Sequence, residues 1–146
     1  MNVSNEKAYI AFTITHGGQD YIFAVPIENV DAVISLDEKV SYAVSPGTPE
    51  YVLCVMNPYG RQFVTIINLL SLFGFSFRPK KADIIVLIIF SGRIVGVPAQ
   101  NAYLISADSG ELLDDTITGT KIFIHNKTQH FVLDIPRLYE YLSFSI

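Results

Sequence analysis

Cys54 is the single cysteine of the 146-residue chain, and it sits inside the apolar run Tyr51 to Met56, which reads as a strand. A thiol attacks only where a base or cation holds it as thiolate. An apolar strand offers neither, so a small buried hydrophobe fits Cys54 better than a nucleophile. The histidines, His16, His125 and His130, fall in a turn, a turn and the start of a strand. None stands in a His-x-x-x-His or Cys-x-x-Cys spacing, so no metal and no cofactor is expected. The carboxylate pairs Asp37-Glu38 and Asp114-Asp115 lie in polar loops, without glycines or hydroxyls arranged around a phosphate, and read as solvated charge. Gly-x-Gly-x-x-Gly, a Walker lysine and Gly-x-Ser-x-Gly do not occur, which removes the usual signals for nucleotide binding and hydrolysis. The expectation is a protein without catalytic residues, and its competitor is an enzyme pairing Cys54 with His130 or His125.

What remains is the chemistry of contact. Tyr59 stands at the tip of the turn Asn57-Pro58-Tyr59-Gly60, with Arg61 directly after it. An aromatic ring exposed beside a guanidinium makes an interface anchor. Val33, Ile34, Leu36 and Val40 flank the charged Asp37-Glu38-Lys39 and suit an edge open to a partner, with half of them turned to the core by strand alternation. The candidate partner-binding residues are therefore Asn57, Pro58, Tyr59, Gly60, Arg61, Val33, Leu36 and Val40. Composition points the same way, since 50% of residues are apolar and only 16% charged, against about 25% charged in ordinary soluble domains. Much of the surface must then be apolar, which suits a partner. Ten basic against fourteen acidic residues give a net charge of −4, and no basic cluster exceeds Arg78, Lys80 and Lys81, which argues against nucleic acid. The longest apolar run, Ile84 to Phe90, falls far short of the roughly 20 residues needed to cross a bilayer. One cysteine and no leader-like N-terminus make a cytoplasmic location the expectation.

The elements that must carry these residues are mostly short strands. Ala8 to Thr15 mixes β-branched and aromatic residues, Gly17-Gly18 interrupts, and Tyr21 to Val25 resumes, which predicts a hairpin. Val33 to Leu36, Tyr51 to Met56 and Phe63 to Ile67 read as further strands. After Asn68, Leu69, Leu72 and Phe73 follow helical spacing until Gly74, predicting one or two turns capped by Asn68. Arg78-Pro-Lys-Lys81 is the one linker-like stretch, dividing the chain into 8–77 and 82–146. Beyond it, Ile84 to Phe90 reads as a strand buried on both faces, paired through Ser91-Gly92 with Arg93 to Val97. Gly119 to Ile124 and His130 to Leu133 form another pair around the turn His125 to Gln129. A last helix begins at the cap Asp134, with Ile135, Leu138, Tyr139 and Leu142 along one face.

The two parts repeat each other weakly. Tyr21-Ile-Phe-Ala-Val-Pro26 with Asn29 matches Arg93-Ile-Val-Gly-Val-Pro98 with Asn101, an offset of 72 residues in which both prolines are expected to follow a strand. Thr65-Ile-Ile-Asn68 matches Phe131-Val-Leu-Asp134 at an offset of 66, each leading into a helix. The collinear order favours duplication. Short, numerous strands avoid exposed edges by curling closed, which predicts an all-β chain of two small barrels folding as one domain over 1–146.

In its order of segments the sequence resembles the CheW family of chemotaxis coupling proteins. The resemblance runs from Ala8 to Leu142 and rests on Phe23-Ala-Val-Pro-Ile-Glu-Asn-Val30, Pro49-Glu-Tyr-Val-Leu-Cys-Val-Met-Asn57 with Pro58-Tyr-Gly60, and Phe63-Val-Thr-Ile-Ile-Asn-Leu69. Ile94-Val-Gly-Val97 and Phe131-Val-Leu-Asp134 extend it into the second half. It implies two SH3-like five-stranded β-barrels, with short helices after the last strand of each. The implied function is a non-enzymatic adaptor joining a chemoreceptor tip to the regulatory domain of the histidine kinase CheA, with contacts between barrels allowing self-association. Tyr59 stands where the family most often has Arg, Asn68 replaces the common Asp and Cys54 a frequent Gly, which suits a divergent paralogue. The alternatives are a small-barrel ligand carrier and a self-associating structural subunit.

Overall fold

A computed structural model describes residues 8–35, 51–56, 64–72, 82–106, 108, 110–114 and 121–144. The chain opens with the expected hairpin, β1 (Ala8–His16) and β2 (Gln19–Pro26), paired in register from Tyr9 with Pro26 to His16 with Gln19. Its turn is Gly17-Gly18, with φ of 61° and 76°. Two successive positive φ values give the turn whose twist matches paired strands, and glycine enters that region without penalty. The hairpin of β6 (Ile84–Phe90) and β7 (Arg93–Ala99) turns in the same way at Ser91-Gly92.

A 3-10 turn (Ile27–Asn29) leads from β2 into β3 (Val30–Ser35). β4 (Val52–Met56) and β5 (Val64–Ile67) pair antiparallel, and the short helix α1 (Leu69–Leu72) follows. Asn68, just before α1, is buried, and its carbonyl accepts from the Ser71 hydroxyl at 2.7 Å. The linker-like 78–81 stretch and the helix stop Gly74 lie outside the described residues.

After β7 the structure adds two strands that periodicity did not reveal, β8 (Asn101–Ser106) and β9 (Glu111–Asp114). Asp114 therefore closes a strand opposite Lys121 instead of lying in a loop. β10 (Lys121–His125) and β11 (Thr128–Val132) pair so that the expected five-residue turn shrinks to Asn126-Lys127, both in the left-handed region. Three position assignments change with it. His125 and His16 are last residues of strands, and His130 lies within β11. Pro26 is the last residue of β2 and Pro98 lies inside β7, so both belong to their strands instead of following them.

Helix α2 (Ile135–Phe144) starts as expected, the Arg137 amide donating to the Asp134 carboxylate at 3.2 Å. Ile135, Leu138, Tyr139 and Leu142 are its buried face. The Tyr139 hydroxyl reaches the carbonyls of Ile88 at 2.6 Å and Arg93 at 2.8 Å, pinning α2 to the β6–β7 hairpin. Burial pushes this phenol up to about 12.

The strands form two sheets. The first runs β8-β1-β2-β11-β10-β9 and the second β3-β6-β7-β5-β4. Each has an antiparallel hairpin at its centre, and each hairpin is joined by a parallel strand, β11 beside β2 and β5 beside β7. The parallel registers are Phe131 with Phe23 and Thr65 with Val95. These are the same place in the repeat, related by the offsets of 66 and 72 residues. The outer strands are exchanged: β3 follows β2 in sequence yet pairs with β6, and β8 follows β7 yet pairs with β1.

Among the described residues three apolar clusters result. Tyr9, Ala11, Ala24, Ile105 and Phe123 fill the first sheet's concave side, and Leu53, Val64, Ile66, Ile85 and Leu87 fill the second's. The largest cluster lies between the sheets, where Phe12, Phe23 and Val25 meet Val86, Ile88 and Val97 under α1 and α2. The central strands β1 and β6 are thus buried on both faces, as neighbours Ala11 and Phe12, or Val86 and Leu87, show at 0% exposure. This accounts for the unbroken apolar run of β6.

Candidate functional site

Of the candidate contact residues, Asn57, Pro58, Tyr59, Gly60, Arg61, Leu36 and Val40 lie outside the described residues. Val33 lies within them, on β3, the outer strand of the second sheet, and it is 42% exposed. It sits opposite the fully buried Val86, so its side chain shares the face that carries the inter-sheet core.

The first sheet has an equivalent that the sequence reading missed. Leu104 on the outer strand β8 is 63% exposed and faces Ile10, which is on the same side of β1 as Phe12 and Ile14 of the inter-sheet core. β8 also packs against β6 across the boundary between sheets, while β3 pairs with β6 within its own. Val33 and Leu104 therefore border one seam from opposite sides. Carrying β3 forward by the 72-residue offset takes Val30 to Ala102 and Val33 to Ile105, so the repeat signalled the strand β8 but falls one residue past Leu104. Ile27, on the 3-10 turn that crosses from one sheet to the other, is also exposed.

Both crossings are held by side-chain amides. Asn29 Nδ2 donates to the Ile89 carbonyl at 3.1 Å, and Gln100 Oε1 accepts from the Thr15 amide at 2.8 Å. Each crossing is thus fastened to the sheet that its outer strand joins, Asn29 to β6 beside β3 and Gln100 to β1 beside β8.

The polar groups elsewhere are arranged for packing. His130 is 1% exposed. Its Nδ1 faces the carbonyls of Thr128 at 3.1 Å and Phe123 at 3.3 Å, which places the proton there, and Nε2 accepts from the Tyr103 hydroxyl at 2.7 Å. Burial pushes this imidazole below its ordinary range, against the pull of the two carbonyl bonds, and the His125 ring 6.1 Å away adds to the lowering. A base held neutral in the fold binds fewer protons than in the unfolded chain, so stability is lost as the pH falls. The loss sets in below the unfolded value near 6.5 and is complete once the folded imidazole has titrated. Urea unfolding of the wild type is expected to weaken from pH 7.5 to 5.5, and to weaken less in His130→Gln, which offers the carbonyls a donor that does not titrate. Equal pH slopes in the two proteins would refute this account.

Cys54 stands on β4 in the second sheet, whereas His125 and His130 stand on β10 and β11 in the first. The thiol-imidazole pairing considered from sequence would have to bridge two sheets. Among the described residues no three His, Cys, Asp or Glu side chains gather as metal ligands. No helix among them is long and apolar enough to cross a membrane.

A family model for the CheW-like domain matches residues 11–140. No curated protein gives a significant match. The fold is similar to the crystal structure of the scaffolding protein TtCheW from Thermoanaerobacter tengcongensis, at 21% identity and a TM-score of 0.63, covering 86% of this chain and 87% of that one.

Proposed function

This chain belongs to the CheW-like domain family, and from that premise we propose that it is a non-enzymatic adaptor coupling a chemoreceptor to a CheA-type histidine kinase in the cytoplasm. The observation that carries the reading is the pair of exposed apolar residues, Val33 and Leu104, set on the exchanged outer strands along one seam. A seam lined by apolar side chains on a rigid double sheet suits an amphipathic helix laid along it, as a receptor tip would present. The segment from Asn57 to Arg61, with Leu36 and Val40, adds further partner contacts in this reading, with Tyr59 and Arg61 as anchors. The adaptor's effect is positional: holding two partners together raises their effective concentration and lets a conformational bias in one reach the other.

Pull-downs with the cytoplasmic tip of the receptor and the regulatory domain of the kinase test the proposal. Wild type is expected to capture both. Leu104→Asp and Val33→Asp should each lower receptor capture at least about tenfold, since they place a charge in an apolar contact, while Tyr59→Ala should lower capture of at least one of the two partners. Failure of the wild-type protein to bind either partner removes the proposal.

A further inference from the structure

The two sheets differ at one matched place. On the first sheet the parallel pair Phe23 and Phe131 fills the face toward the shared core, with the rings 5.9 Å apart. At the same place in the second sheet the pair is Thr65 and Val95. Two phenyl rings are replaced by a hydroxyl and an isopropyl group, and the space they would occupy is open. A cleft of about 180 Å³ lies there, roofed by Tyr139 and Leu142 of α2, floored by Ile67 and rimmed by Arg93. Ile67 and Leu142 are buried, and Arg93 is exposed.

We propose that this cleft is a docking site for a partner segment that presents a phenylalanine-sized side chain next to a carboxylate. The ring takes the place that Phe131 occupies in the first sheet, and the carboxylate meets the Arg93 guanidinium at the rim. Two features support this occupant. The first is shape: the repeat shows that a phenyl ring fits this backbone arrangement, because the parallel register Phe131 with Phe23 is that of Thr65 with Val95. The second is charge: among the described lining residues Arg93 is the cation and is exposed at the mouth, and the others are apolar apart from the Thr65 and tyrosine hydroxyls. The site lies under α2, apart from Val33 and Leu104. It deepens the adaptor reading, on which it rests for the existence of a partner, by giving the chain a contact outside the seam.

The test uses the isotope-labelled full chain and the capped peptide acetyl-Glu-Phe-Glu-amide, followed by amide chemical shifts. Shifts at Thr65, Ile94 and Val95 should saturate at millimolar peptide. Acetyl-Glu-Ala-Glu-amide should bind at least about tenfold more weakly, as expected for losing a buried ring. Acetyl-Lys-Phe-Lys-amide, and the first peptide on Arg93→Gln, should each bind about fivefold more weakly or worse, as expected for losing an ion pair. Thr65→Phe should close the cleft and abolish the shifts while the rest of the amide spectrum is retained. Val95→Phe is a second route to the same closure. Undiminished binding by a folded Thr65→Phe or Val95→Phe chain, equal binding of the alanine peptide, or no shift at these amides overturns the inference. Because the peptide assay needs neither receptor nor kinase, peptide binding with failed pull-downs removes the adaptor reading alone. Successful pull-downs without peptide shifts remove the cleft alone.

Discussion

Cutting the chain within residues 78–81 is expected to leave two fragments that are unfolded alone and regain the native fold when mixed. The sheet order requires this. Within residues 1–77 the described strands can make only the pairs β1–β2 and β4–β5, and within 82–146 only β6–β7 and β9–β10–β11. Every join that assembles these pieces into the two sheets crosses the cut: β2 with β11, β5 with β7, β3 with β6 and β8 with β1. An isolated two-stranded hairpin is marginal in water, and the largest apolar cluster needs both halves. Circular dichroism and amide spectra of the separate and mixed fragments give the answer. Cooperative unfolding of either fragment alone would contradict this topology.

The second large effect concerns Phe12. Its side chain is fully buried on β1, its ring lies 5.7 Å from that of Phe23, and it belongs to the cluster between the sheets. Phe12→Ala is expected to cost about 3–5 kcal/mol, the usual range for removing a buried aromatic side chain. Against a total stability of about 5–15 kcal/mol for a domain, that is a large share. Because the cavity opens between the sheets, amide exchange should accelerate in both, at Val86 and Ile88 as well as at Phe23. Acceleration confined to the first sheet would show that the shared core does not couple them.

The hairpins were legible because their turns announce themselves: Gly17-Gly18 and Ser91-Gly92 sit between β-branched runs, and no partner from elsewhere in the chain is needed to form them. Helix α2 was legible for a similar reason, with a carboxylate cap and a buried face at 3.6-residue spacing. β8 was not, because as an outer strand it is exposed at Tyr103 and Leu104 in succession, which breaks the alternation that marks a half-buried strand. The exchange of outer strands was hidden too. Local propensity fixes the hairpins, whereas the choice of β6 over β2 as the neighbour of β3 is made by packing between distant segments. On the candidate site, Val33 was named from its apolar neighbours and is exposed on β3, whereas the exposed Leu104 was not named because its strand was not recognised. His130 was read only as the start of a strand, and its burial stayed hidden because its hydroxyl partner, Tyr103, comes from β8, a strand distant in sequence.

The reciprocal loan of β3 and β8 also has a mechanical reading. A load applied at Leu104 is borne by β1, to which β8 and Gln100 are both bonded, and by the opposite module through the direct run of the chain from β7 into β8 and the packing of β8 on β6. The molecule should then respond to tugging as a braced strut and not as two beads on a string, passing a displacement from one end to the other with little of it absorbed in between.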